Sequence, residues 1–178
     1  MLWKKLVAKM AEKLLIGEAH KTKLKPGDKA PPITGMTEEG IPFDQKIVEG
    51  KKVVLYFYPK DDTAGCTTQA CNLRDNYESM LQQGYAVIGV SPDSVQQHRD
   101  FIKKYQLPFP LIADPERKLI KAYDVWGDKT ILGKKFKGVR RTTFVIDRNG
   151  IIEEVIDNVD TANHAEQVLP EGKGKNRK

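Results

Sequence analysis

Residues 53–71, VVLYFYPKDDTAGCTTQAC, decide the fold of this chain. The run opens with β-branched and aromatic side chains, a pattern typical of a strand buried on both faces. Pro59 ends that strand, and a polar loop leads into a helix that we predict from about Cys66 to Gln83. In an open α/β sheet, ligands bind beyond the carboxyl ends of the strands, which is where this loop would lie.

The rest of the body continues the alternation of strands and helices. We predict strands at 86–90, 109–113, 142–147 and 151–156, and helices at 94–105, 115–123 and 163–169. Arg148-Asn149-Gly150 is a hairpin signal between the last two strands. Residues 26–43 are rich in Pro and Gly and favour a β-hairpin or an extended arm. The fold class is therefore α/β, with a central mixed sheet flanked by helices.

The positive charge of the chain lies at its two ends. The 178 residues carry a formal net charge of +6, but residues 26–170 hold more acidic than basic groups. Residues 1–16 have the apolar spacing of an amphipathic helix. We therefore predict a basic amphipathic extension at 1–23, one domain at 24–169 and a basic flexible tail at 170–178. Nucleic-acid or membrane contact through these ends would be an added function.

The apolar runs and the cysteines exclude two classes of protein. The longest apolar run, 53–58, is far shorter than a membrane span. Two cysteines are too few for the disulfide framework of a small secreted protein, and lysines interrupt any secretory signal near the start. We therefore predict a cytoplasmic protein whose cysteines serve chemistry rather than structure.

Cys66 is predicted at the first turn of the helix that follows the buried strand. There, unpaired backbone N–H groups and the positive end of the helix dipole stabilise a thiolate, the reactive form of cysteine. Cys71 comes five residues later. On a regular helix the two Cα atoms would be about 8.6 Å apart, too far for a disulfide. Either both residues are structural thiols, or they bond only after the first turns unwind.

Other kinds of site have little support in the sequence. His20, His98 and His164 are scattered singly, so neither a zinc site nor a Cys–His protease is indicated. No metal, flavin or nucleotide cofactor is expected. Residues 60–62, KDD, are interpreted as a polar loop at the mouth of a pocket, without a catalytic role.

Together these residues resemble the peroxiredoxins, and specifically their bacterioferritin comigratory protein or Q-type subfamily. Pro59, Thr63 and Cys66 meet the family pattern Pro-x-x-x-Thr-x-x-Cys, and Cys71 stands at the position of the subfamily's resolving cysteine. Ala64 replaces the proline usual in the subfamily, and we expect activity to survive. The likeness covers about residues 24–169 and includes the runs 57–62, 69–71, 73–75, 125–127 and 138–147.

The resemblance implies a thioredoxin-like fold and a thiol peroxidase acting on hydrogen peroxide and organic hydroperoxides. Cys66 would be the peroxidatic cysteine, oxidised to a sulfenic acid, and Cys71 would resolve it as a disulfide. Thr63 and Arg141 would hydrogen-bond the thiolate and the peroxide, and Pro59 would shield the pocket from water. A thioredoxin-type reductant would restore the thiols.

Two other interpretations of the function remain: a thioredoxin-like disulfide reductase and a redox-regulated binding protein.

The arginine that would face Cys66 is one of two neighbours, Arg140 and Arg141. Strand residues alternate between faces, so only one of the two would face Cys66. The spacing to Phe144 and Asp147 favours Arg141. For the assembly, the expectation is a monomer or a weak dimer.

Overall fold

A computed structural model describes residues 20–170 of the chain. The predicted helix at 1–16 and residues 171–178 of the predicted tail lie outside the described residues. The boundaries at 23/24 and 169/170 therefore stay predictions.

Eight strands, five α-helices and one 3-10 turn make up the described part of the chain. The strands are β1 (Met36–Thr37), β2 (Lys52–Phe57), β3 (Tyr85–Ser91), β4 (Leu111–Ala113), β5 (Trp126–Ile131), β6 (Lys134–Val139), β7 (Thr142–Ile146) and β8 (Ile152–Ile156). The helices are α1 (Ala64–Asp75), α2 (Tyr77–Gln82), α3 (Val95–Tyr105), α4 (Lys118–Ala122) and α5 (His164–Val168), and the 3-10 turn is Gln45–Ile47.

Six strands form one mixed sheet in the order β1-β4-β3-β2-β7-β8. Strand β2 pairs parallel with β3 and antiparallel with β7, and β7 and β8 form the predicted hairpin. The predicted mixed sheet is confirmed. No helix within residues 20–170 is both long and apolar enough to cross a membrane.

Strand β2 is buried on both faces, as its composition predicts, because helices cover both sides of the sheet. Tyr56 and Tyr58 pack into a core cluster with residues of α1, α2, α3 and α5. Leu55 and Phe57 point to the other side and pack in a cluster with residues of α4. The carboxyl end of β2 therefore delivers the chain directly to the start of α1.

The prediction of one continuous helix from Cys66 to Gln83 is wrong. The chain forms two helices there, α1 and α2, which meet at Asn76. The Asn76 side chain donates from Nδ2 to the carbonyl oxygen of Asn72 at 2.8 Å. An asparagine side chain that bonds a backbone carbonyl one turn earlier competes with the regular hydrogen bonds of the helix. The break leaves both cysteines on α1.

The hairpin of β5 and β6 was not among the predicted elements. Leu132 and Gly133 form its turn, both with positive φ, and Leu132 is 98% exposed. Leucine is an unusual residue for a left-handed turn, which is why the turn chemistry gives no signal here. Residues 26–43 form an extended arm in which only Met36–Thr37 is a strand.

Candidate active site

Cys66 lies in the first turn of α1, below the loop that follows β2. Ala64 is the first residue of the helix, and Thr63 is its extended N-cap residue. The Cys66 side chain points into the core and is 1% exposed. The sulfur is therefore shielded from bulk water, and the positive end of the α1 dipole favours its charged form.

Arg141 contacts Cys66 although it lies 75 residues later in the chain. Its Nη2 lies 3.2 Å from Cys66 Sγ, and its Nη1 donates to Gln69 Oε1 at 2.6 Å. A Cβ on Gly65 would lie 3.3 Å from Nη2, so the glycine leaves the guanidinium room to approach. The two contacts hold the cation in one orientation against the sulfur.

Gln69 is a site residue that the sequence interpretation missed. It is 0% exposed, and its Nε2 has no hydrogen-bond partner among the described residues. Its spacing gives a signal that could have found it, since residues three apart on a helix share a face and Cys66 precedes it by three. A buried polar side chain beside a reactive thiol is expected to serve the site.

Arg140 and Arg141 form the link between β6 and β7, so the premise that both lie in a strand is wrong. Arg140 bonds through its backbone N–H to the carbonyl oxygen of Val125 at 2.7 Å. Arg141 is the residue whose guanidinium contacts Cys66. The link frees the two side chains from strict alternation and turns Arg141 onto α1.

A third cation lies near this site. Lys129 of β5 is half-buried and donates from Nζ to the carbonyl oxygen of Val139 at 2.8 Å. Burial lowers the pKa of Lys129, and the positive charges of Arg140 and Arg141 lower it further. The negative charge of Cys66 acts in the opposite direction and raises the pKa of Lys129, so the β5–β6 hairpin lies within electrostatic reach of the site.

Thr63 and Pro59 lie on the loop between β2 and α1. The Thr63 hydroxyl donates to the carbonyl oxygen of Lys60 at 2.9 Å, and no contact with Cys66 Sγ is made. The donor is therefore occupied, while the lone pairs of the same oxygen can still accept a hydrogen bond. Pro59 is partly buried where the chain leaves the sheet.

Cys71 lies on the same uninterrupted helix as Cys66, and both are free thiols. The neighbouring Asn72 ties α1 to the segment that leads into α5. Its Nδ2 donates to the carbonyl oxygen of Ala162 and its Oδ1 accepts from the N–H of Ala165, both at 2.8 Å. Any movement of Cys71 towards Cys66 must therefore unwind helix that Asn72 holds in place.

His164 at the start of α5 gives the fold a predictable response to acid. Burial lowers its pKa from the ordinary 6.5 to about 4, opposed by its hydrogen bond to Gln167. Its Nδ1 lies 3.1 Å from the acceptor Gln167 Oε1 and therefore carries the proton, so in the neutral ring Nε2 accepts from the Thr143 hydroxyl at 2.9 Å. Because the folded-state pKa is depressed, the unfolded chain binds a proton first. The contribution of the neutral His164 to the free energy of unfolding is complete above pH 6.5 and is lost as pH falls towards 4.

We expect His164→Gln to remove this part of the acid sensitivity. The free energy of unfolding of the wild type should fall by roughly 3 kcal/mol more than that of the variant across the window. Urea unfolding at the two ends of the window measures both slopes. Equal slopes for the two proteins would contradict the assignment.

Asp61 departs from the sequence interpretation of a polar loop at a pocket mouth. It is 8% exposed and points inward, where it bonds His98. With Asp93 these residues form the one group of three potential metal ligands found within residues 20–170. Their atoms already bond one another, since Asp61 and His98 are 2.6 Å apart and the Asp61 N–H donates to Asp93 at 2.8 Å. The arrangement is a closed hydrogen-bond network.

The family is decided by a match that spans both Cys66 and Arg141. Residues 26–155 match the family model described as AhpC/TSA. The chain belongs to the AhpC/TSA family. Its relatives include Peroxiredoxin Bcp of Bacillus subtilis, 43% identical over 143 residues that cover 80% of this chain and 91% of that protein. Peroxiredoxin Bcp of Escherichia coli is 39% identical over 146 residues, covering 82% and 94%.

Solved structures that resemble this AhpC/TSA protein belong to the bacterioferritin comigratory protein or Q-type subfamily of peroxiredoxins. A cysteine mutant of Xylella fastidiosa PrxQ has a TM-score of 0.78 and 31% identity, covering 87% of this chain and 99% of that one. Xanthomonas campestris bacterioferritin comigratory protein, solved to study its alkyl peroxide reduction activity, has a TM-score of 0.73 and 30% identity, with the same coverage of 87% and 99%. The predicted thioredoxin-like fold and the Q-type peroxiredoxin resemblance are confirmed.

Proposed function

We propose that this protein is a thiol peroxidase that reduces hydrogen peroxide and organic hydroperoxides with Cys66. The observation that carries the proposal is the contact of 3.2 Å between the Arg141 guanidinium and Cys66 Sγ at the start of a helix. Membership of the peroxiredoxins supports it. So does the alkyl peroxide reduction activity described for the Xanthomonas campestris relative.

In the first step, the Cys66 thiolate attacks one peroxide oxygen and the O–O bond breaks. The thiolate sulfur is oxidised to a sulfenic acid, and the other oxygen leaves as hydroxide or alkoxide, which takes up a proton to become water or an alcohol. Arg141 stabilises the thiolate and the negative charge that develops on the leaving oxygen. Gln69 keeps the guanidinium aimed at the reacting atoms.

Thr63 and Pro59 shape the side of the pocket from which the peroxide enters. The Thr63 hydroxyl already donates to the carbonyl oxygen of Lys60, so its lone pairs are left to accept the O–H of the peroxide. Pro59 limits the access of water because its ring lies at the exit of β2 and carries no N–H donor. Both residues act by placing the substrate over Cys66.

In the second step, the Cys71 thiol attacks the sulfur of the Cys66 sulfenic acid and releases water. The resulting disulfide needs Cα atoms closer than the helix allows, so the first turns of α1 unwind and the Asn72 contacts break. A thioredoxin-type dithiol then reduces the disulfide and becomes oxidised itself. The site needs no metal or organic cofactor for either step.

Cys71→Ser tests the second step. The variant should form the Cys66 sulfenic acid once, at the wild-type rate, because Cys66 and Arg141 are unchanged. It should then lose turnover supported by thioredoxin, since no intramolecular disulfide forms. Peroxide consumption in the presence of thioredoxin and its reductase measures turnover, and mass spectrometry of the quenched protein measures the single oxidation. Undiminished turnover in the variant would exclude Cys71 as the resolving cysteine.

The proposed partners are the peroxide and a thioredoxin-type reductant, and the proposed compartment is the cytoplasm. There the thioredoxin and glutathione systems keep thiols reduced, so both cysteines would be available for the reaction. The monomer or weak dimer expected from the sequence stays a prediction.

A further inference from the structure

A buried hydrogen-bond network lies beneath the loop that carries Thr63. Asp61 Oδ2 and His98 Nδ1 are 2.6 Å apart, although 37 residues separate them in the chain. Tyr58 donates its hydroxyl proton to Asp61 Oδ1, also at 2.6 Å. The other ring nitrogen of His98, Nε2, lies 3.0 Å from the carbonyl oxygen of Ile112. Both ring nitrogens of His98 and both carboxylate oxygens of Asp61 are therefore engaged.

These partners fix the number of protons in the network. The Ile112 carbonyl can only accept, so His98 Nε2 carries a proton. The contact with Asp61 holds a second proton, shared between His98 Nδ1 and the carboxylate. Burial raises the pKa of Tyr58 well above its ordinary value, and the negative Asp61 raises it further, so its hydroxyl remains a donor. Asp61 and His98 thus form a buried hydrogen-bonded pair that holds one proton between them.

The same network fixes the backbone of the loop. The N–H of Asp61 donates to Asp93 Oδ2 at 2.8 Å, and the Ser91 hydroxyl donates to the same oxygen at 2.6 Å. Asp61 is thereby held at its side chain by His98 of α3 and at its backbone by Asp93, two residues beyond β3. The preceding residue, Lys60, supplies the backbone carbonyl that accepts the hydrogen bond of the Thr63 hydroxyl.

We propose that Asp61 and His98 are a positioning pair for the peroxidase reaction. The pair fixes the Lys60–Asp61 backbone, and this backbone orients the Thr63 hydroxyl at the entrance to Cys66. Neither side chain touches the sulfur, so each acts through Thr63. The inference rests on the proposed function, because it assigns these residues to the reaction of Cys66 with peroxide.

The neighbouring Asp62 provides an internal comparison on the same loop. It is exposed, and it bonds Lys104 Nζ at 2.7 Å and the Tyr105 hydroxyl at 2.6 Å. Both partners lie on α3, so the helix holds the loop by the buried contact of Asp61 with His98 and by the two exposed contacts of Asp62. Exposed ion pairs contribute little to structure because water and salt screen them. The buried pair is the one expected to control the geometry of the loop.

Two substitutions of His98 separate its two hydrogen bonds. His98→Asn places an amide donor near the position of Nδ1 and keeps the bond to Asp61. His98→Gln places the donor near Nε2 and keeps the bond to Ile112 instead. The reaction with hydrogen peroxide is followed in a single turnover by rapid quench and mass spectrometry. The rate constant is compared, because loss of folded protein lowers the amplitude and leaves the rate constant of the remainder unchanged.

We expect His98→Gln to lower the rate constant of Cys66 oxidation by roughly ten- to a hundredfold, because a small misplacement of a catalytic group is costly. His98→Asn should stay within roughly threefold of wild type, since its amide can still donate to Asp61. Reduction of the preformed disulfide by thioredoxin should be unchanged in both. Lys104→Met removes the exposed ion pair with Asp62 and leaves the Tyr105 hydrogen bond, so this variant should react at the wild-type rate.

If His98→Gln does not fold, the other partner gives the same contrast. Asp61→Asn keeps an acceptor for Tyr58 and can donate to a neutral His98, whereas Asp61→Ala makes neither bond. The Asn variant should react faster with hydrogen peroxide than the Ala variant. Equal rate constants within either pair of variants, with a reactive wild type, would overturn the positioning role alone. A wild-type Cys66 that does not react would overturn the proposed function as well.

Discussion

Cys66→Ser should reduce peroxide consumption to the rate measured without protein. A serine hydroxyl is not ionised at neutral pH and lacks the nucleophilicity of a thiolate. The substitution is nearly isosteric at a site that is 1% exposed, so the fold should survive. Consumption of hydrogen peroxide with thioredoxin and its reductase measures the loss.

Cys71→Ser is the matched control, since it makes the same substitution on the same helix and leaves Cys66 unchanged. It should retain a single oxidation by peroxide, whereas Cys66→Ser should show none. Peroxidase activity that persists in Cys66→Ser would remove Cys66 from the reaction.

Arg141→Met should lower the rate constant of Cys66 oxidation on the order of 10²–10³-fold, the usual loss when one donor to developing charge is removed. The variant loses the contact with Cys66 Sγ and leaves the Gln69 carbonyl oxygen without its donor. Raising the pH until Cys66 is fully ionised should recover only part of the rate, because Arg141 also stabilises the leaving oxygen. The thiolate absorbance gives the ionised fraction at each pH.

Arg140→Met removes the same charge from the adjacent position and serves as the control. Its side chain makes none of the contacts that hold Cys66, so the rate constant should remain close to that of wild type. Arg141→Lys should recover part of the lost rate, since it keeps the charge but not the planar fork. Equal losses in the Arg140 and Arg141 variants would mean that positive charge alone matters, and not the geometry.

The parts of the site that are local in sequence could be predicted from it. The buried strand, the loop and the two cysteines lie within residues 53–71, where composition and helix geometry are sufficient. Arg141 could be selected by resemblance and by its spacing to Phe144 and Asp147, but not by alternation in a strand, which does not apply to the link it occupies. Tertiary contact across 75 residues, rather than local pattern, places it at Cys66.

The missed features depend on partners far apart in the chain. Asp61 is charged and lies in a polar run, so local pattern predicts exposure. Only its contact with His98 on α3 explains its burial. The break at Asn76 depends on one side-chain hydrogen bond, and the β5–β6 turn uses a leucine with positive φ. Local propensity is a weak guide wherever tertiary contacts determine the conformation.

The most direct test is the mass of the intact chain after one equivalent of hydrogen peroxide, followed by peptide mapping without reductant. We expect the chain to lose the mass of two hydrogen atoms and to yield one linked species joining Cys66 to Cys71, which thioredoxin reverses. Peroxide consumption with both thiols unchanged, or a disulfide that joins two chains instead, would contradict the mechanism.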